Sequence, residues 1–324
     1  MQVITVGDVF VDCLMSGLTR LPQLGEEVYG DDFALAVGGD PALYALNLAR
    51  LGLETAVIAR LGEDFFSDFI VRNLHQGGVD IRFVIRDPQA QANITFALSL
   101  PQDRAFATFL GAEGHYTAKV LPWEHLGESQ ALLLFGTRLE QKGPIFERAK
   151  ARGMLTILNA GWDPTEQWSE ALYELGSAVD LFIANEVEAT HLTHQPDPEA
   201  ALRKLSAHFP LVVVTLGGRG ALASDGERIL HRPAFPVPVV DTTGAGAAFG
   251  SGFLYGLLQS WPLADCVTLG NACGGLAITA LGGSGAFPTL SQLRKFLRTQ
   301  GMMGHPILAS EPTKTDKGAQ VWVE

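Results

Sequence analysis

At 324 residues, with 47% hydrophobic and 18% charged residues, the chain is not a disordered polymer and can hold one large globular domain or two. A formal net charge of -12 argues against a nucleic-acid partner, because phosphate backbones are met by clustered Lys and Arg; a single anionic nucleotide stays open, since backbone dipoles and a metal ion can receive it. Three scattered cysteines, Cys13, Cys266 and Cys273, offer neither a disulfide frame nor a C-x-x-C metal pair, and they point to a reducing, cytoplasmic setting.

The chain opens on a strand-like Val3 to Val6 with no basic leader ahead of it, and no apolar run is long enough to span a bilayer. Gly7-Asp8-Val9-Phe10-Val11-Asp12 follows, placing two carboxylates where open α/β sheets receive ligands, at the carboxyl end of a strand. A loop carboxylate or a helix cap is the plain alternative for each. Residues 24–38 and 81–110 are extended and alternating, without helical spacing, and predict a small β subdomain. Gly38-Gly39-Asp40-Pro41 leads into helical spacing from Ala42 to Leu51. Asp40 before Pro41 fits an N-cap with proline at N1, and the same carboxylate can face a ligand.

Apolar strand-like runs then recur at Thr55 to Ala59, Ala131 to Phe135, Leu155 to Leu158, Leu181 to Ala184 and Leu211 to Thr215. Helical spacing separates them at Asp64 to Gln76, Pro144 to Arg152, Trp168 to Leu175 and Pro198 to Ala207. This alternation predicts a doubly wound α/β fold, its mainly parallel sheet covered by helices on both faces.

Three later stretches carry chemistry. Asn185-Glu186-Val187-Glu188 closes an apolar strand; Glu188 is a hard oxygen ligand of the kind Mg²⁺ takes, and Asn185 capping an acidic first turn is the alternative. Val212 to Ala221 is a strand running into Thr215, Gly217, Gly218, Arg219 and Gly220, a tight turn with a hydroxyl and a guanidinium. Pro236 to Val240 reads as a strand before the glycine turn Asp241-Thr242-Thr243-Gly244-Ala245-Gly246-Ala247 and a long apolar segment. A helix N-terminus there would present unpaired N–H groups and partial positive charge to a phosphate, and Gly244 and Gly246 would let the backbone approach it. His191 and His194 have helical metal-pair spacing but no third ligand nearby, and take no function.

The segment Asp241 to Phe249 resembles the C-terminal signature D-T-T-G-A-G-D-A-F of the PfkB/ribokinase family of sugar kinases. Gly38-Gly39 with the following Ala49-Arg50-Leu51-Gly52 resembles its N-terminal signature, Asn185 to Glu188 its N-x-x-E motif, and Val214 to Gly220 its nucleotide motif. The resemblance spans about residues 1 to 297. It implies a ribokinase-like domain over about 1–300, with β-lid segments at about 24–38 and 81–110, a tail over 301–324, and a homodimer through the lid. The implied reaction is transfer of the γ-phosphoryl group of ATP to a hydroxyl of a sugar, nucleoside or sugar acid, with Mg²⁺. Asp12, Gly38, Gly39, Asp40 and Leu43 would face the substrate; Asn185, Thr215, Gly217, Gly220 and Asn271 the nucleotide; Glu188 the metal; and Gly244, Ala245 and Gly246 the phosphoryl group. The Gly282 to Ala286 loop would flank the nucleotide.

Two positions depart from the family pattern. Ala247 stands where the family has its general base, an aspartate, and Leu43 stands where an asparagine contacts sugar hydroxyls. Impaired or absent catalysis is the expectation. Three accounts stay open: a deliberately replaced base, a non-catalytic sugar- or nucleotide-binding protein derived from the fold, and an enzyme whose base is displaced, with Asp40 the nearest candidate.

Overall fold

The computed structural model describes residues 1–100, 104–136, 142–162, 168, 170–280 and 287–309. β1 (Val3–Val6) starts the main sheet, and β2 (Phe10–Ser16) and β3 (Asp32–Gly38) leave it. α1 (Asp40–Arg50) returns the chain to β4 (Thr55–Leu61), and α2 (Phe65–Gln76) leads to β5 (Val84–Arg86). β6 (Asn93–Ser99) and β7 (Arg104–Phe109) join β2 and β3. The second half runs β8 (Ala131–Phe135), α3 (Lys142–Lys150), β9 (Leu155–Asn159), β10 (Leu181–Asn185), α4 (Glu186–Thr193), α5 (Pro198–Ser206), β11 (Leu211–Thr215), β12 (Ala221–Ser224) and β13 (Ile229–Arg232). α6 (Ala245–Leu258), α7 (Leu263–Ala277) and α8 (Leu290–Thr299) close the fold.

Nine strands form one sheet in the order β13-β12-β11-β10-β9-β8-β1-β4-β5, and four form a second in the order β3-β2-β6-β7. From β11 to β5 the main sheet is parallel; β12 and β13 add an antiparallel edge. The period-2 alternation of strands sorts the core into two layers. Val3, Leu133, Ile157, Ile183 and Val213 face α1, α6, α7 and α8. Ile4, Leu134, Leu158, Phe182 and Val214 face α3, α4 and α5. Both faces are dry, which explains why these strands read as continuous apolar runs.

The lid differs from its sequence outline in three ways. β2, which carries Asp12, is one of its two inner strands, pairing with β3 and β6. Within 24–38 only Asp32–Gly38 is a strand. Within 81–110, β5 belongs to the main sheet, where Ala59 pairs with Val84. Pro236 to Val240 makes no strand and joins no ladder, as Pro236 and Pro238 have no N–H to donate. The helical spacing at Trp168 to Leu175 becomes a tighter helical stretch, Glu170–Ala178, broken at Gly176. Packing also continues past residue 300: Ile307 is fully buried, and the buried Arg294 donates Nε–H to its carbonyl at 3.1 Å.

No helix of the described residues is long and apolar enough to cross a membrane.

Candidate active site

The parallel strands end on one edge, and the candidate residues gather there. Register sets Asn185 at the end of β10 beside Thr215 at the end of β11. It sets Asn159 at the end of β9 beside Phe135 at the end of β8. α1 begins at the same edge, because it must carry the chain back to the start of β4. Gly39, with φ 82, is its N-cap and makes no side-chain cap bond. The expectation that Asp40 caps this helix is therefore corrected: Asp40 is the first helical residue, and its carboxyl meets the amide of Asn159 at the end of β9 instead. Asn159 Nδ2 donates to Asp40 Oδ2 at 3.4 Å and to Tyr44 Oη at 3.3 Å.

Asp12 lies against the same turn. A Cβ placed on Gly38 would fall on the Asp12 carboxylate, so only glycine fits beneath it. Burial, and then the charge of Asp40, push the Asp12 carboxyl up to about 6. Packed protein around Asp40 pushes it up to about 6 as well, although part of its surface still reaches solvent. Leu43 is buried in the apolar core under α1 and offers no polar atom. Asp8 organises the neighbouring loop: its Oδ1 accepts from Gly114 N–H at 2.9 Å and from Tyr116 O–H at 3.1 Å.

These raised carboxyls carry a sign. A carboxyl that titrates near 6 when folded and near 3.8 when unfolded gives its full stability below the unfolded value, and that stability is lost as pH rises through about 6. Asp12→Asn is therefore expected to gain less stability than wild type when pH falls from about 7.5 to 5, by on the order of 1 kcal/mol. Calorimetric melts of both proteins across this window check it; parallel curves would refute the raised Asp12.

On the nucleotide side, Asn185 caps α4 in a reciprocal box. Glu188 N–H donates to Asn185 Oδ1 at 2.9 Å, and Asn185 N–H to Glu188 Oε2 at 2.9 Å. Oε1 of Glu188 takes no hydrogen bond among the described residues. Burial pushes Glu188 up to about 7; the Asn185 N–H opposes this and the Asp40 charge adds to it. A buried carboxylate with one oxygen open and no cationic side chain beside it among the described residues suits a hydrated divalent cation. After Thr215, Gly217 and Gly218 stand in open space, and Gly220 passes so close to the backbone of Arg232 to Ala234 that no Cβ fits. Arg219 pairs with Glu186. Asn271 Nδ2 donates to Arg232 O at 3.0 Å and Pro233 O at 3.1 Å, so its amide holds the end of β13. The Gly282 to Ala286 loop lies outside the described residues.

The glycine turn is built as its sequence suggests. Gly244, with φ 75, is the N-cap of α6, and Ala248 N–H makes the first helical bond to Gly244 O at 2.8 Å. Gly246 and Ala247 lie ahead of that bond, so the helix supplies their N–H groups with no acceptor. A Cβ on Gly246 would meet nothing within 4 Å. Asp241 Oδ1 shapes the approach, accepting from Thr243 N–H at 2.9 Å. Arg104 reaches down from lid strand β7 to pair with Asp241 Oδ1 at 3.4 Å and to bond Thr243 Oγ1. Ala247 is almost fully buried. Sequence reasoning passed over Asn159, Tyr44 and Arg104. Asn159 ends an apolar strand with a lone amide, a faint signal; the other two carried none.

The cleft thus joins two glycine-lined helix N-termini, two proton-binding carboxyls and a buried glutamate. Residues 2–290 match the family described as pfkB family carbohydrate kinase. The chain belongs to the PfkB family of carbohydrate kinases. The ribokinase of Lactococcus lactis is 29% identical over 300 residues, covering 92% of this chain and 97% of that protein. The fructokinase of Klebsiella pneumoniae is 30% identical over 314 residues, covering 90% and 98%. Arabidopsis thaliana ribokinase complexed with ribose and ATP superposes with a TM-score of 0.80 at 23% identity, over 92% of this chain and 98% of that one. That likeness shows the ribokinase-like fold.

Proposed function

We propose that this chain is an ATP-dependent kinase of a sugar or related polyhydroxy molecule, slower than family members that carry aspartate at position 247. The observation that carries the reading is the glycine turn: Gly246 and Ala247 open α6 with N–H groups ahead of its first helical bond, and a Cβ on Gly246 would stand in empty space. Such a turn receives the charge that develops on a transferring phosphoryl group. Asp12 and Asp40 accept from substrate hydroxyls, with Gly38 and Gly39 allowing close approach and Leu43 adding only apolar surface. Asn185, Thr215, Gly217 and Gly220 line the nucleotide phosphates, and Asn271 supports the nucleotide side through the end of β13. Glu188 would hold a hydrated Mg²⁺, and that cation would neutralise phosphate charge.

Ala247 has no proton acceptor, and a positioned general base contributes a factor of about 10² to 10⁴. The same residue, together with Leu43, favours a second reading, a non-catalytic sugar- or nucleotide-binding protein on the kinase fold. ADP formation from ATP and Mg²⁺ over a panel of sugars, nucleosides and sugar acids tests the two. Acceptor-dependent ADP supports the kinase; saturable binding with no ADP from any acceptor supports the binding protein.

The lid supports a homodimer. Register puts Cys13, Met15, Phe33, Leu35, Phe96, Leu98 and Phe109 on one face and Asp12, Thr95 and Thr108 on the other. Phe33, Phe96 and Phe109 on the apolar face are 57%, 50% and 49% exposed, a patch of the kind a partner covers. Phe96→Glu is expected to convert a dimer to a monomer in sedimentation; an unchanged sedimentation coefficient would place any dimer contact elsewhere.

A further inference from the structure

Asp40 and Ala247 stand on two helices, α1 and α6, that pack along one seam. α1 leaves the carboxyl edge of the sheet and runs back to the start of β4. α6 does the same: its Phe249 lies against Gly270, and the adjacent Asn271 is bonded to the end of β13 at that edge. The two helices are therefore parallel, with both N-termini at the cleft. Their contact is fixed by Tyr44 and Gly250, for a Cβ on Gly250 would fall on Tyr44 Oη. Tyr44 is fully buried and packs its ring against Phe135, with centroids 5.3 Å apart.

Helical periodicity extends this contact towards the cleft. Asp40 precedes Tyr44 by four residues and Ala247 precedes Gly250 by three, so each lies on the same face one turn nearer the N-terminus. The turn of α1 that bears a carboxylate thus faces the turn of α6 that lacks one. Asn159 Nδ2 spans Tyr44 Oη and Asp40 Oδ2, so the seam and the carboxylate share one anchor.

We propose that Asp40 is the general base of this enzyme, the carboxylate having moved from α6 to the facing turn of α1. The inference rests on the kinase reading. In the step it performs, a carboxylate oxygen of Asp40 takes the proton of the substrate hydroxyl as the substrate oxygen bonds to the γ-phosphorus of ATP. The bond from that phosphorus to the bridging oxygen breaks, ADP leaves, and the proton passes from Asp40 to solvent. Burial supports the assignment, since it brings the carboxyl up to about 6, nearer the working pH. Asp12 on the lid, Glu188 on α4 and Tyr44 on α1 are the titratable groups that surround it.

Wild type, Asp40→Asn, Ala247→Asp and the double variant are compared with ATP, Mg²⁺ and ribose, deoxyribose or fructose, reading phosphosugar, the KM for ATP and the melting temperature. Wild type is expected to turn over. Asp40→Asn should lose about 10²-fold or more in kcat with the KM for ATP nearly unchanged and no loss of melting temperature, and the double variant should regain at least ~10-fold over it. A merely structural Asp40 would lower the melting temperature when replaced and would not be rescued from α6. If Asp40→Asn keeps the wild-type kcat, the proposal falls and the kinase reading stands. The same holds if wild type is silent while Ala247→Asp is active. If both are silent, the proposal falls with the kinase reading, whether or not calorimetry detects ATP binding.

Discussion

Gly246→Val is expected to lower phosphoryl transfer by at least ~100-fold while the protein melts within a few degrees of wild type. Gly246 is the second residue of α6, ahead of the first helical hydrogen bond, and a Cβ there meets nothing within 4 Å. The side chain therefore has room in the free protein. That room is the space above the turn where a phosphoryl group would be received by unpaired N–H groups. Valine fills it, pushing the anion off donors that act only at hydrogen-bond distance. Activity and melting temperature measured together decide the matter. Full activity would show that the turn is not the phosphoryl site; a large loss of stability would show that it is not open.

Gly250→Ala acts through the fold. α6 carries glycine in its interior at Gly250, Gly252 and Gly256, which costs backbone entropy and needs a packing reason. The reason is contact: Tyr44 Oη occupies the Cβ position of Gly250, and Cys273 Sγ lies 2.5 Å from that of Gly252. Tyr44 has nowhere to go, being fully buried against Phe135 and Asn159. Overpacking of this kind costs about 1–3 kcal/mol, and here the upper end applies because the clash is with a rigid ring in the main core. The melting temperature should fall by several degrees, and Tyr44→Phe, which removes the nearest atom, should return part of it. A Gly250→Ala protein as stable as wild type would mean that the α1–α6 seam is looser than described.

The main sheet was readable because its strands are buried on both faces. Ala131–Phe135 and Leu211–Thr215 match their apolar runs end to end. The glycine turn was readable because positive φ at Gly244 and open space at Gly246 leave a local mark in residue type. β2 was missed because Phe10 to Met15 is apolar on both faces apart from Asp12, which gives no alternation to read. Hydropathy alone makes Pro236 to Val240 a strand, but its two prolines cannot donate to a ladder. Local sequence puts Asp40 at the cap; Gly39 fills that position, and this frees the carboxylate. Asn159 lies 119 residues from Asp40, and Arg104 lies 137 from Asp241. Contacts of that length are set by topology and leave no spacing in the sequence.

Phosphorus NMR of the wild-type chain with Mg²⁺, ATP and ribose or fructose tests directly whether this cleft moves the γ-phosphoryl group of ATP onto a sugar hydroxyl. A new phosphate-monoester signal is expected, growing in step with ADP and absent without sugar. ATP that stays intact, or that yields only inorganic phosphate, in both the wild type and Ala247→Asp would overturn the kinase reading.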